Sequence, residues 1–151
     1  MKVIDMMENI KIVILSFGAS LGFGIVFQLK NKDLLYAGIG GALTRIVYII
    51  LMSFVPYRIV FAALSACFAA AYAEIIGHRN RKPATVYLYP SIIPLIPGDL
   101  FYYMTAAVMI RDKAMFMLNF TECTLALAGI CTGFVLCSTI IYYVRRRNVE
   151  L

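Results

Sequence analysis

Residues 83–103 read PATVYLYPSIIPLIPGDLFYY, with Pro90, Pro94 and Pro97 inside eight residues and Gly98 directly after the last of them. Each proline removes an amide donor and clashes with the preceding helical turn. Each also pushes the residue before it (Tyr89, Ile93 or Ile96) toward extended geometry. A single continuous helix through this stretch is therefore not expected. The flanks are apolar enough for lipid, yet irregular backbone is not tolerated in hydrocarbon unless it is buried in protein or lines a wet cavity. The sequence thus predicts a broken membrane helix whose freed main-chain groups face the inside of a bundle.

The rest of the chain agrees with lipid as solvent. It has 151 residues, 62% hydrophobic and 15% charged, against roughly 25% charged in an ordinary soluble domain. About 20 mostly apolar residues span a bilayer, and five runs qualify: 10–29, 34–55, 59–76, 84–110 and 115–144. The expected fold is one all-α domain over 1–151, an integral membrane bundle of about five helices with the fourth broken. Lys2 is followed by Asp5 and Glu8 instead of a basic stretch, so the first run reads as a retained span. Gly18/Gly22 and Gly129/Gly133 have G-x-x-x-G spacing, Gly38, Gly40 and Gly41 cluster, and alanines crowd 62–73. Small residues let helices approach in lipid. Such faces serve packing within the bundle, or docking of a partner subunit or a second copy.

The net charge of +6 sits between the apolar runs, which is the pattern of membrane loops and not of a nucleic-acid surface. With five spans, Lys2, Lys11, Arg58, Arg111 and Lys113 share one side. Lys30, Lys32, Arg79, Arg81, Lys82 and Arg145 to Arg147 share the other. The positive-inside rule then puts the C-terminus in the cytoplasm. A re-entrant fourth run would put both termini on one side. Cys67, Cys123, Cys131 and Cys137 lie in apolar runs without C-x-x-C spacing, so neither a metal site nor a disulfide framework is expected. No paired acid, histidine or metal cluster suggests an enzyme, and no cofactor is implied.

Candidate functional residues gather at the break. Asp99 reads as the N-cap of a half-helix beginning at Leu100, whose free amides suit a carboxylate. Arg45, near the centre of the second run, costs roughly 2.5–3.5 kcal/mol on insertion scales and needs a partner. Asp99, Glu74, an acid of another subunit and an anionic substrate are the candidates. Glu74 ends the third run close to the basic loop, as an interfacial ion pair or a proton-carrying acid. Tyr87, Tyr89, Tyr102 and Tyr103 flank the break and read as an aromatic belt or as a cavity lining. Asp33, Asp112 and Glu122 read as loop or interfacial residues.

At this point a resemblance appears. Pro90-Ser91-Ile92-Ile93-Pro94-Leu95-Ile96-Pro97-Gly98 resembles the P-G-x-I-P-x-x-P-G signature of the threonine/serine exporter family. Phe23 to Phe27, Gly38 to Ala42, and Glu74 before the loop ending Arg81-Lys82-Pro83-Ala84-Thr85-Val86 are similar too, so the likeness covers nearly the whole chain. Ser91 stands where glycine or alanine is usual, a small-for-small change. The likeness is to the small, C-terminal-half-like subunit of two-component members. It implies a bacterial inner-membrane, proton-coupled exporter of threonine, serine or dicarboxylates such as succinate, completed by a larger membrane subunit. Arg45, Pro94, Pro97, Gly98, Asp99 and Tyr102 are then the expected contacts to a small carboxylate-bearing substrate, with Asp99 and Glu74 as proton-coupling candidates. A non-transporting scaffold subunit of a larger complex is the rival reading.

Overall fold

The computed structural model describes residues 2–147, and side chains from 7 to 143 and at Arg147. Among the described residues the chain forms six α-helices and one 3₁₀ turn. They are α1 (Lys2–Val26), α2 (Asn31–Phe54), α3 (Arg58–Asn80), α4 (Thr85–Ile92), the turn Ile93–Leu95, α5 (Gly98–Met109) and α6 (Lys113–Arg147). Four of these helices are long and apolar enough to cross a membrane, and α4 with α5 makes a fifth, bent by 48° at the break. The all-α bundle with an interrupted fourth span is therefore the fold. The run expected over 84–110 is two helices that face different neighbours. The first helix starts earlier than the apolar pattern alone implied.

The connections are short because helix ends are chemically marked. Gln28, Arg81 and Arg111 all take left-handed backbone, with φ of 56°, 53° and 58°. After each, the next amide reaches back to a carbonyl in the last turn: Leu29 to Gly24, Lys82 to Gly77, and Asp112 to Ala107. This is the helix-closing pattern usually made with glycine, and it satisfies carbonyls that would otherwise be orphaned. Pro83 follows Arg81 and prevents re-entry into α3. The fourth connection ends α2 at extended Val55, the residue before Pro56. Asp112, expected as a loop or interfacial residue, lies in the connection and caps α6: its Oδ1 accepts the Met115 amide at 3.0 Å.

Side-by-side neighbours run α1, α2, α3, α6, α5, with α4 and the 3₁₀ turn seated against α1, α2 and α3. The most extensive contact is between α3 and α6. Its α3 side is alanine: Ala62, Ala66, Ala69 and Ala73 have no exposed surface. Its α6 side is glycine. A methyl on Gly129 would lie 2.5 Å from the Ile59 carbonyl oxygen, and one on Gly133 closer still to that of Ala63. Backbones touch there because neither helix gains from hiding leucine from lipid. Gly18 and Gly22 differ, since a methyl on either would meet nothing within 4 Å.

The two glycine pairs therefore respond differently to substitution. Gly133→Ala should destabilise the detergent-solubilised chain by about 1–3 kcal/mol through overpacking against backbone. Gly18→Ala and Gly22→Ala should stay within about 0.5 kcal/mol of the parent. Thermal unfolding followed by circular dichroism compares them directly.

Candidate functional site

The chemistry of the break follows from which amides are missing. In a continuous helix the amide of residue 94 would bond the carbonyl of residue 90, but Pro94 has none. The Pro90 carbonyl instead accepts Ser20 Oγ from α1 at 2.8 Å, a fully buried bond. The Pro94 carbonyl would accept the amide of residue 98, but Gly98 turns to Ile96 O at 2.8 Å. Arg45 Nη1 of α2 fills the vacancy at 3.1 Å. Pro97 leaves the Ile93 carbonyl without its donor, and the Ile96 amide takes it at 3.2 Å, closing the 3₁₀ turn. Pro94 and Pro97 thus free two carbonyls and the turn of Gly98 a third, and two of the replacement donors come from other helices.

Glycine makes room for those donors. A methyl on Gly41 would overlap Ser20 Oγ and touch Pro94 Cγ at 3.3 Å. One on Gly40 would overlap Ser91 Oγ and crowd the Tyr72 ring at 2.6 Å. Ser91 itself bonds back to Tyr87 O at 2.8 Å. The Gly40–Gly41 pair is the notch in α2 into which the broken segment and two serines fit.

One turn along from Gly41, Arg45 lies half-buried with its guanidinium 5.0 Å from the Tyr48 ring centre. Its Nε is buried and has no hydrogen-bond partner, and neither has the hydroxyl of fully buried Thr44 beside it. Among the described residues neither Arg45 nor Asp99 makes an ion pair. Among the described residues the arginine is held by a carbonyl and an aromatic face. A site with a bound cation and spare buried donors is chemically suited to an oxyanion.

The predicted site residues divide into groups. Arg45 and Pro94 are brought together, and Pro97 is buried behind them. Gly98, Asp99 and Tyr102 face outward, and Tyr102 lies against Tyr103 at 5.6 Å between ring centres. Asp99 is not the N-cap. Pro97 holds that position, because its own carbonyl already accepts the Phe101 amide, and Asp99 falls inside the first turn of α5. There its charge still suits the helix dipole, and it lies within electrostatic range of Tyr48 and Cys123. Glu74 is elsewhere, lining a cavity of about 240 Å³ with Ala70, Leu88, Phe134 and Ser138.

A second polar cluster was not anticipated. Asp33, read as a loop or interfacial residue, is buried in the first turn of α2, where it accepts bonds from Lys82 and from the Tyr87 hydroxyl. Tyr87 also receives Asn80 Nδ2 at 2.9 Å and has no exposed surface, so it is a core residue and not part of an interfacial belt. At the opposite end Arg58 Nε pairs with Glu122 Oε2 at 2.5 Å.

With this geometry in place the comparison with known families is informative. A family profile described as "Threonine/Serine exporter, ThrE" matches residues 12–140. The chain belongs to this threonine/serine exporter family. No curated protein and no solved structure matches it. Membership gives this multi-pass membrane protein an exporter-type transport role and points away from an enzyme. Within the exporter, Pro94 vacates the carbonyl held by Ser20 and supplies the carbonyl held by Arg45.

The bond pattern predicts a specific coupling. Ser20→Ala should cost about 1–3 kcal/mol by leaving a buried carbonyl unpaired. Pro94→Ala returns an amide to that carbonyl, so in its background the serine substitution should cost at least about 1 kcal/mol less. A double-mutant cycle on thermal unfolding in detergent measures the difference.

Proposed function

We propose that this chain is the small subunit of a two-component, proton-coupled exporter in the bacterial inner membrane. Its cargo is a small carboxylate-bearing metabolite, threonine or serine or a dicarboxylate such as succinate, and its C-terminus is cytoplasmic. The observation that carries this reading is Arg45. It is fixed by the Pro94 carbonyl while its buried Nε and the adjacent Thr44 hydroxyl have no partner. A substrate carboxylate supplies the missing acceptor and the compensating charge. Arg45 anchors that carboxylate, and the turn from Pro94 to Pro97 holds the arginine in place.

The outward residues fit the same reading if the site is shared. A carboxylate inside a membrane is costly unless it is paired or wetted, yet Asp99 faces away from the bundle and α5 packs chiefly on α6. A larger family subunit laid against this face encloses Gly98, Asp99 and Tyr102. Asp99 then carries the coupled proton at the shared wall, with Glu74 as the second candidate. The rival reading is a scaffold that does not transport.

Export from cells co-expressing both subunits separates the two. Asp99→Asn should abolish efflux of the cognate metabolite while the purified complex stays intact, and Arg45→Ala should abolish efflux per intact complex even where it lowers the amount of complex. Arg45→Lys, which keeps charge but loses the planar fork, should reduce efflux roughly tenfold. Variants that lower the amount of complex but export normally per complex would establish the scaffold reading instead.

A further inference from the structure

The second polar cluster opens onto a cavity that the transport reading does not use. It has a volume of about 750 Å³ and is lined by Lys30, Asn31, Lys32, Asp33, Tyr36, Asn80 and Lys82. The wall comes from the α1–α2 connection, the first turn of α2, the end of α3 and the residues after it. Three ammonium groups and one carboxylate face this space. The carboxylate is not available to a ligand, since buried Asp33 is already held by Lys82 and Tyr87. Tyr87 is in turn fixed by Asn80. That chain of bonds positions Lys82 on the cavity wall. Among the described residues Lys30 and Lys32 form no ion pair. The first-turn amides of α2 add partial positive charge, and no side chain caps them.

Depth decides the ligand. The cavity lies where the apolar part of α1 ends and α2 begins, the level at which phospholipid headgroups sit. At the same end Phe27 and Tyr89 pair with ring centres 6.0 Å apart and are half exposed to lipid, as interfacial aromatics are. Exposed Leu35 directly precedes Tyr36 of the cavity lining. A freely diffusing anion gains nothing from such an apolar surround, whereas a headgroup tethered to acyl chains does. Basic pockets between membrane helices are a recognised form of anionic-lipid site. We propose that this cavity binds the phosphate of an anionic phospholipid, with Lys30, Lys32 and Lys82 as its cationic ligands. The assignment stands independently of any transported substrate.

The test uses the full chain in nanodiscs of phosphatidylcholine containing increasing fractions of phosphatidylglycerol, with thermal stability and retained lipid measured by mass spectrometry. The parent should retain phosphatidylglycerol in preference to phosphatidylcholine and gain stability with its fraction. Lys30→Gln/Lys32→Gln, exposed changes that leave the Asp33 network in place, should weaken apparent affinity about thirty-fold, about fivefold per lysine. Arg111→Gln/Lys113→Gln removes equal charge from the other end and should leave affinity unchanged. Equal loss in both double variants would mean a diffuse surface effect and overturn the site. Stabilisation by millimolar inorganic phosphate in pure phosphatidylcholine discs, equal to that from phosphatidylglycerol, would assign the site to a free anion and overturn the lipid proposal.

Discussion

A carbonyl without a donor inside a bilayer is the constraint on which this architecture depends. Water normally relieves such a group, and the hydrocarbon core has none to offer. Leaving an amide-like group unpaired costs on the order of 2–7 kcal/mol, depending on the reference medium. The chain places proline where residues 90, 94 and 97 must cross, so replacement donors are obligatory. Ser20 and Arg45 are those donors for Pro90 and Pro94. Their need to be within bonding reach sets how α1 and α2 lie against the fourth span. The placement of two neighbouring helices is thus tied to the chemistry of one segment.

Glycine makes the consequence sterically possible, in two distinct ways. At Gly129 and Gly133 the absent side chain admits another helix's backbone, and dispersion contacts along the α3–α6 seam replace the hydrophobic drive that lipid removes. At Gly40 and Gly41 it admits polar side chains, the two serines that bond carbonyls at and before the break. Both pairs are needed because a membrane bundle cannot trade a polar contact for solvent. Arg45 shows the same economy. Its insertion cost of roughly 2.5–3.5 kcal/mol is offset in part by a charge-assisted bond to Pro94 and by the Tyr48 ring, worth about 0.5–2 kcal/mol as a cation–π contact.

Much of this was legible before any coordinates, and the boundary is physical. The spans and the break are local properties: hydropathy over about 20 residues and the stereochemistry of proline. Partners across helices are not local. Nothing in the neighbourhood of Ser20 marks it as the donor for a carbonyl seventy positions away. Tyr87 and Tyr89 show the same limit. Both are tyrosines at a helix near an interface, yet two residues apart on a helix they point to opposite sides. One is wholly buried on Asp33, while the other is half exposed beside Phe27. Residue type suggested one belt, and helix rotation separated them. Asp99 lies two residues past the cap, the position expected of it. The chain enters α5 at Pro97, whose carbonyl accepts the Phe101 amide with no side-chain cap, so the acid falls inside the helix.

The break also changes which face of the span looks inward. α4 packs on α2 and α3, but after the 48° bend α5 packs chiefly on α6. Pro94 therefore presents its carbonyl to the bundle interior, whereas Asp99, five residues on, presents its carboxylate outside. A straight helix would have kept a fixed angular relation between them, and its second half would have stayed against α2 and α3. With the backbone turned between them, Asp99 and Arg45 form no ion pair with each other. The guanidinium keeps unspent donors, and the acid keeps an unspent charge. In lipid neither condition is stable alone, since each leaves a charge without a counter-charge in a low-dielectric medium. On the proposed reading, the surface that supplies both counter-charges is the shared wall between the two subunits, where the substrate carboxylate meets Arg45 from one side and the partner covers Asp99 from the other.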